Sequence, residues 1–283
     1  MSRKHKQVQK PVKPQESRSI VDVIIPVFRR FDLLWKCLTA LPEAMGDIMY
    51  KLYIIDNGSP KEEADEFYKQ FQYPITIIRN KENLGFPRAC NLAAKRGNSP
   101  LLFFLNSDVI LEPNSVSKLV AEFDEPKVGV CGMKLVFPPE TASVNLNQDI
   151  RPPNKIQHVG IMTNIRGDFY HIFVGWDADH PKPNAMRTPD AVTGAALMVR
   201  RNLFVKAGYF NEIYGTGCFE DCELSMMAKE LGYNVIVNTS ACGIHYVAAT
   251  AEFYKIPYAL GYNRMTFLQR WGNKMTYNEH NSW

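Results

Sequence analysis

The stretch LLFFLNSDVILEP, residues 101–113, decides how the rest of the chain is read. Five large apolar residues suit a strand buried on both faces of a sheet. They stop on an amide, a hydroxyl and a carboxylate, Asn106, Ser107 and Asp108, before the chain turns apolar again. In α/β sheets, ligands sit beyond the carboxyl ends of strands. The abrupt change therefore places Asp108 at the rim of a sheet, and similar polar breaks are expected after neighbouring strands.

Those breaks occur. Upstream, IVDVIIPV (20–27) is a short β-branched run ending around Pro26. Asp32 is expected to cap a helix that buries Leu33, Leu34, Cys37, Leu38 and Leu41 at helical spacing. KLYIIDNGSP (51–60) is a second strand, ending in Asp56-Asn57-Gly58-Ser59, and a helix with Ala64, Phe67, Tyr68 and Phe71 on its apolar side follows. PITIIRN (74–80) is a third strand, Phe86 to Arg96 a helix ended by Gly97, and Ser115 to Phe123 another helix. Alternating strands and helices imply right-handed crossovers and a largely parallel sheet.

Residues 138–190 are rich in Pro, Asn, Asp and Gly and lack clear periodicity, as functional or mobile segments do. Pattern returns with DAVTGAALMVRR (190–201), a strand, and a short helix from Asn202 to Gly208. Glu220 opens a helix striped by Leu224, Met227, Ala228 and Leu231, and YNVIVN (233–238) leads toward His245. The stretch Glu252 to Trp271 reads as helix, with Tyr254, Tyr258 and Tyr262 at spacing four as a packing stripe. The expected fold class is α/β, a mixed and mainly parallel sheet flanked by helices.

Bulk composition narrows the classes of function. The chain has 283 residues, 46% hydrophobic and 22% charged, which suits one globular domain with ample core. A net charge of +4 does not by itself indicate a nucleic-acid binder. No apolar run approaches the ~20 residues that span a bilayer, and no apolar stretch near the start suggests a secretory signal. The six cysteines are scattered, and the Cys218/Cys222 spacing lacks the second pair of a zinc site. Reduced, structural cysteines and a cytoplasmic location, peripheral to a membrane in one variant, are expected. Residues 1–18 carry Arg3, Lys4, Lys6, Lys10, Lys13 and Arg18 against Glu16. They read as a disordered basic tail, solvated or tethering the chain to anionic lipid or nucleic acid.

Asn106-Ser107-Asp108 can bind a hard cation, with substrate phosphates completing its shell. His245 is a further candidate ligand. Taken singly, the first is equally a turn and the second equally a core residue. The spaced set is more specific: IIPVFRR (24–30), IIDNGS (54–59), NLGFPRACNLA (83–93), LNSD (105–108), VTGAALMVRR (192–201), GYFNEIYGTGCFEDCELSMMAKELGY (208–233) and His245. It resembles the family 2, GT-A-fold inverting glycosyltransferases, especially their rhamnosyltransferase-like branch.

The resemblance covers residues 19–250, with a nucleotide-binding half at 19–137 and an acceptor-side half at 138–250. It leaves 251–283 as a C-terminal helical extension packed on that domain. It implies a UDP- or dTDP-linked sugar donor, Mn²⁺ or Mg²⁺, and transfer of a hexosyl or rhamnosyl group to a hydroxyl of a glycan, glycolipid or other polymer. Carried over by position, Pro26, Phe28, Arg30, Asp56, Asn83, Gly85, Arg88 and Asn91 would bind the nucleotide and its phosphates. Asn106 and Ser107 would do so beside Asp108, the last acid of the family's metal motif, whose first position here is Asn106 rather than Asp. Thr193, Gly194 and Ala195 would flank the sugar. Asp221 would be the catalytic base, with Glu220 and Trp176 on the acceptor side and His245 at the metal.

Bland readings compete with these. Glu220 and Asp221 also suit a helix N-terminus electrostatically. Gly208 and Gly215-Thr216-Gly217 are either turns or a closing loop, and Trp176 is either core or a stacking platform. A nicotinamide enzyme would want G-x-G-x-x-G after the first strand, where PVFRR stands. The remaining alternatives are a non-catalytic nucleotide-sugar-fold module and a transferase recruited to nucleic acid by the basic tail.

Overall fold

The computed structural model describes residues 19–71, 74–140, 151–164, 168–247 and 249–275. The basic segment 1–18, with everything expected of it, lies outside the described residues.

The first half alternates as expected: β1 (Val21–Val27), α1 (Phe31–Met45), β2 (Tyr50–Asp56), α2 (Lys61–Tyr68), β3 (Ile75–Arg79), α3 (Phe86–Ala94) and β4 (Leu101–Leu105). Then come β5 (Val109–Leu111), α4 (Ser115–Glu122), β6 (Val128–Val136), β7 (Ile156–His158), β8 (Ile161–Thr163), β9 (Phe169–His171) and α5 (Pro181–Asn184). The chain continues through β10 (Ala196–Arg200), α6 (Arg201–Lys206), α7 (Glu220–Glu230), β11 (Asn234–His245), α8 (Ala249–Tyr254) and α9 (Leu260–Trp271). The aperiodic region 138–190 thus contains short strands, too brief to show a pattern.

Among the described residues, one sheet runs β3-β2-β1-β4-β10-β6-β11-β5, with β7 beside β6. β1 to β4 are parallel, as their helical crossovers require. β10 enters antiparallel between β4 and β6. This reversal places the start of β10 at the rim where β4 ends, and the Asn106 N–H donates to the Ala195 carbonyl at 2.8 Å. β11 likewise ends beside the start of β5, with His245 opposite Val109. Asp108 and His245 are neighbours because of that pairing.

β4 explains its own composition. Leu101, Phe103 and Leu105 pack into one core layer with Leu34, Leu38 and Leu41 of α1. Leu102 and Phe104 pack into the other with Ala89 and Ala93 of α3 and Phe204 of α6. A strand covered on both faces needs apolar residues at every position, and it loses them where cover ends.

Two local expectations fail. α1 begins at Phe31, and its N-cap is Arg30 in the left-handed region at φ 45°. Asp32 lies in the first turn and pairs with Arg30 at 2.8 Å instead of capping. The helix expected over 252–271 is two helices, because Pro257 has no N–H and drives the preceding residue from helical geometry. Tyr254, Tyr258 and Tyr262 therefore share no helical stripe.

α9 is anchored by Phe267 and Trp271, buried with Tyr214 and Cys222. Phe169 meets Phe267 edge-on at 4.8 Å. At the end of the strands opposite the polar rim, the buried Asp22 accepts from Ser99 N–H at 3.1 Å and Ser99 Oγ–H at 2.6 Å and pairs with Arg201. One carboxylate thus ties β1, the segment before β4, and the start of α6. Asp22→Ala is expected to destabilise the chain by about 3–5 kcal/mol, since it strands a largely buried guanidinium. Urea unfolding checks this, and a loss below about 1 kcal/mol would contradict it.

Candidate functional site

The strand ends of the parallel half surround a cavity of about 140 Å³. Pro26 and Phe28 form the wall after β1, and Asn57 the wall after β2. Asn83 and Phe86 come from the β3–α3 connection, and Asn106, Ser107 and Asp108 from the end of β4. Thr216, Ile256 and Tyr258 close it from the second half of the chain. Of the expected donor-binding residues, Pro26, Phe28, Asn83, Asn106 and Ser107 therefore line one space with Asp108.

Asp108 is buried, and its Oδ1 lies 3.4 Å from His245 Nε2. His245 Nδ1 is 3.1 Å from Gln157 Oε1. Because that oxygen only accepts, Nδ1 carries a hydrogen, and in the neutral imidazole Nε2 then turns a lone pair toward the Asp108 carboxylate. Nε2 is buried without a hydrogen-bond partner. Two electron-pair donors facing each other, with the imidazole oriented by an outer amide, make a donor set that fits a divalent cation. Among the described residues no group of three or more His, Cys, Asp or Glu converges. Such a cation would need further oxygen ligands from phosphates or water.

The acid pair stands at the N-terminus of α7. Asp221 Oδ2 accepts the Gly194 N–H at 2.8 Å, and Oδ1 accepts the Cys222 N–H at 2.8 Å. Burial raises its pKa, while those backbone donors oppose the rise. Glu220 is buried, and its Oε2 has no hydrogen-bond partner. Burial, and then the charge of Asp221, push Glu220 well above the usual carboxylate range. Of the two, Glu220 keeps a proton more readily and Asp221 is the one that ionises first. A Cβ added to Gly194 would lie 3.3 Å from the Phe86 ring and 3.5 Å from Asp221 Cβ. Asp221 does not line the cavity; it stands behind Gly194, beside the Phe86 ring that does.

Gly85 has φ +81°, and a Cβ there would collide with the Gly215 carbonyl. Its Cα is the contact between the β3–α3 connection and the 214–219 loop. Thr193 and Ala195 sit at the start of β10 outside the cavity, with the Ala195 N–H donating to Thr193 Oγ1 at 3.3 Å.

Several expected site residues have other employment. Asp56 is fully buried and accepts the Ser59 N–H at 3.0 Å, 3.3 Å from Arg79 Nε on its other oxygen. It holds its own turn, and the next residue, Asn57, faces the cavity. Arg30 points toward Asp32 and the Ala249 carbonyl and lines a neighbouring cavity with Arg151 and His245. Arg88 is exposed, 3.8 Å from Glu212. Asn91 is buried, donating to the Phe210 carbonyl at 2.9 Å and accepting the Phe210 N–H at 3.0 Å. It clamps a loop and does not reach the cavity. Trp176 is 36% exposed and packs edge-on against Phe173 and His180, away from the cavity.

Sequence reading missed Asn57 and Tyr258. Asn57 Oδ1 accepts from Asn80 Nδ2 and the Leu84 N–H, each at 3.0 Å, while Nδ2 donates to Asn83 Oδ1 at 2.7 Å. It folds the connection that carries Asn83 and Phe86. Its signal was its place directly after a strand-end acid. Tyr258 lines the cavity, and burial, with nearby Cys218, Asp108 and Glu220, pushes its hydroxyl up to about 12. Pro257 beside it was the available signal.

The six cysteines are free. No helix among the described residues is long and apolar enough to cross a membrane. Residues 22–179, more than half of the chain, match Glycosyl transferase family 2, and the chain belongs to that family. It is 27% identical over 248 residues to the O-antigen biosynthesis protein RfbC of Myxococcus xanthus, covering 84% of this chain and 18% of that one. It spans a quarter or less of the length of the first curated relatives it matches. Among solved structures, one of GalNAc-T7 with UDP, GalNAc and Mn²⁺ superposes with TM-score 0.62 at 15% identity, covering 81% of this chain and 44% of that one. The mannosyltransferase PcManGT from Pyrobaculum calidifontis, in complex with GDP-Man and Mn²⁺, superposes with TM-score 0.60 at 14% identity, covering 95% and 70%. This likeness establishes the GT-A arrangement of sheet and helices.

The raised pKa of Glu220 has a signed consequence. A buried acid favours its protonated form, so its contribution to stability is full below its unfolded pKa and is lost as pH rises through the folded value. Glu220→Gln removes that loss. The variant is expected to gain stability over the parent between pH 4 and pH 8, by up to about 1–3 kcal/mol. Melting curves across that range test it, and a constant difference would contradict the assignment.

Proposed function

We propose that this chain transfers a sugar from a nucleotide-diphosphate-sugar to an acceptor hydroxyl, with inversion at the anomeric carbon. The observation that carries the reading is the placing of two acidic centres around one rim. Asp108 lines the cavity, His245 meets it from the neighbouring cavity, and Asp221 lies beside Gly194, which the Phe86 ring of the cavity also approaches.

The nucleotide lies against Pro26, Phe28 and Asn57, with its diphosphate toward Asp108. Asp108 and His245 are the residues that would hold Mn²⁺ or Mg²⁺, and the neighbours described with Mn²⁺ support that choice. The cation supplies positive charge where the leaving diphosphate gathers negative charge. Asp221 takes the proton of the acceptor hydroxyl as its oxygen bonds to the anomeric carbon. The bond from that carbon to the diphosphate oxygen breaks on the opposite face, which inverts the centre. The Gly194 and Cys222 N–H groups hold the Asp221 carboxylate in place while it works. One base suffices, because the diphosphate leaves without needing a proton, unlike the leaving group of a glycoside hydrolase.

Asp221→Asn is expected to keep donor affinity within about threefold and to lower kcat by about 10²–10⁴-fold, as loss of a general base does. Asp108→Ala should instead abolish the extra thermal stabilisation that Mn²⁺ gives with UDP-, dTDP- or GDP-sugars. Transfer at the parental rate by Asp221→Asn would overturn the assignment of the base. Since burial raises Asp221, and only its ionised form accepts a proton, kcat should rise with pH through a midpoint above the usual carboxylate range. An acidic limb centred near pH 4, the ordinary value, would contradict this.

A further inference from the structure

Asn263 of α9 is 1% exposed and touches none of the atoms assigned above to donor or acceptor. Its Nδ2 lies 3.0 Å from the Tyr214 carbonyl, 2.8 Å from the Gly217 carbonyl and 3.2 Å from the Cys218 carbonyl. Three carbonyls converge on one amide because the loop is wound left-handed. Gly215, Gly217, Cys218 and Phe219 have φ of 59°, 135°, 78° and 82°. Cys218 and Phe219 are not glycines, and such conformations persist only where their surroundings enforce them. Asn263 supplies three of the contacts on this loop, beside the Phe86–Thr216 and Thr216–Pro257 bonds. α9 holds it there through Phe267, one turn on, which packs against Phe169 and Phe219.

The same loop reaches both parts of the site. The Thr216 carbonyl accepts the Phe86 N–H at 3.3 Å, and Thr216 lines the cavity. Phe219, at the other end of the loop, is the N-cap of α7, whose first two residues are Glu220 and Asp221.

We propose that Asn263 is a positioning residue: by gathering the carbonyls of Tyr214, Gly217 and Cys218 it fixes the start of α7, and so sets Asp221 against the donor cavity. The proposal rests on Asp221 being the base. Removing the amide's hydrogens leaves three buried carbonyls facing one another. The loop then unwinds, and the acid pair shifts with it. Pro26, Phe28, Asn57 and Asn106 do not depend on the loop and Thr216 does, so donor affinity is expected to change less than turnover.

The test compares the full chain with Asn263→Asp, which has nearly the same shape but offers at most one hydrogen, when protonated, in place of the amide's two, and Asn263→Gln, which keeps the NH₂ on a longer arm. For Asn263→Asp, kcat is expected to fall about 10–100-fold, as for a misplacement near 1 Å. The Kd for UDP with Mn²⁺ should stay within about threefold, and the acidic limb of kcat should move, as it would not for a stability defect. Amide hydrogen exchange at 215–221 should speed up about tenfold or more, with the β1 and β4 amides unchanged. Asn263→Gln should lie between. Parental kcat and exchange in Asn263→Asp would overturn the proposal, and so would faster exchange spread evenly over the whole chain. If the parent chain transfers no sugar, the proposed function fails separately. The localised exchange then still decides whether Asn263 holds the loop.

Discussion

Two backbones pressed together with no side chain between them organise the rim of this molecule. Gly85, at the start of α3, lies so close to Gly215 that a methyl group could not fit. That contact brings a connection from the parallel half of the sheet against a loop from the far half. Asn57 makes it repeatable, since its amide bonds Asn80, Asn83 and the Leu84 N–H and leaves the 80–85 connection one shape. The contact of these two loops adds to the β4–β10 pairing in bringing the cavity and the acid pair near each other. A larger residue at Gly85 would force the two loops apart before it altered any chemistry.

The energetics follow from crowding acids at a place with little water. Asp108 and Glu220 are buried and Asp221 is partly so, and the surroundings of the three differ. Asp108 faces the imidazole of His245. Asp221 takes two backbone N–H groups at a helix N-terminus, where the dipole favours an anion. Glu220 has one oxygen with no partner and shifts toward its neutral form. Glu220 and Asp221, adjacent in the chain, thus acquire unlike tendencies to hold a proton.

Much of the first half was legible because each strand is a compact apolar run and each break is polar. LLFFL declared itself a two-faced strand, and the alternation of its residues between two core layers bears that out. The β10 strand was legible as a strand, but its antiparallel entry was not, since direction depends on a partner distant in sequence. Asp56, Arg88 and Asn91 show the limit of reading roles from position. A polar residue after a strand can serve the ligand or its own turn, and the choice depends on a side-chain direction that sequence does not carry. Asp56 was taken by Ser59 and Arg79, which left the neighbouring Asn57 to face the cavity. Short strands within 138–190 were hidden because three residues show no period.

The carboxylate of Asp22 lies at the other end of the strands, fastened to Ser99 and Arg201. It fastens the strand starts from behind, on the side away from the cavity. The two ends of the sheet are secured by different means, a buried ion pair at one and a close approach of two glycines at the other.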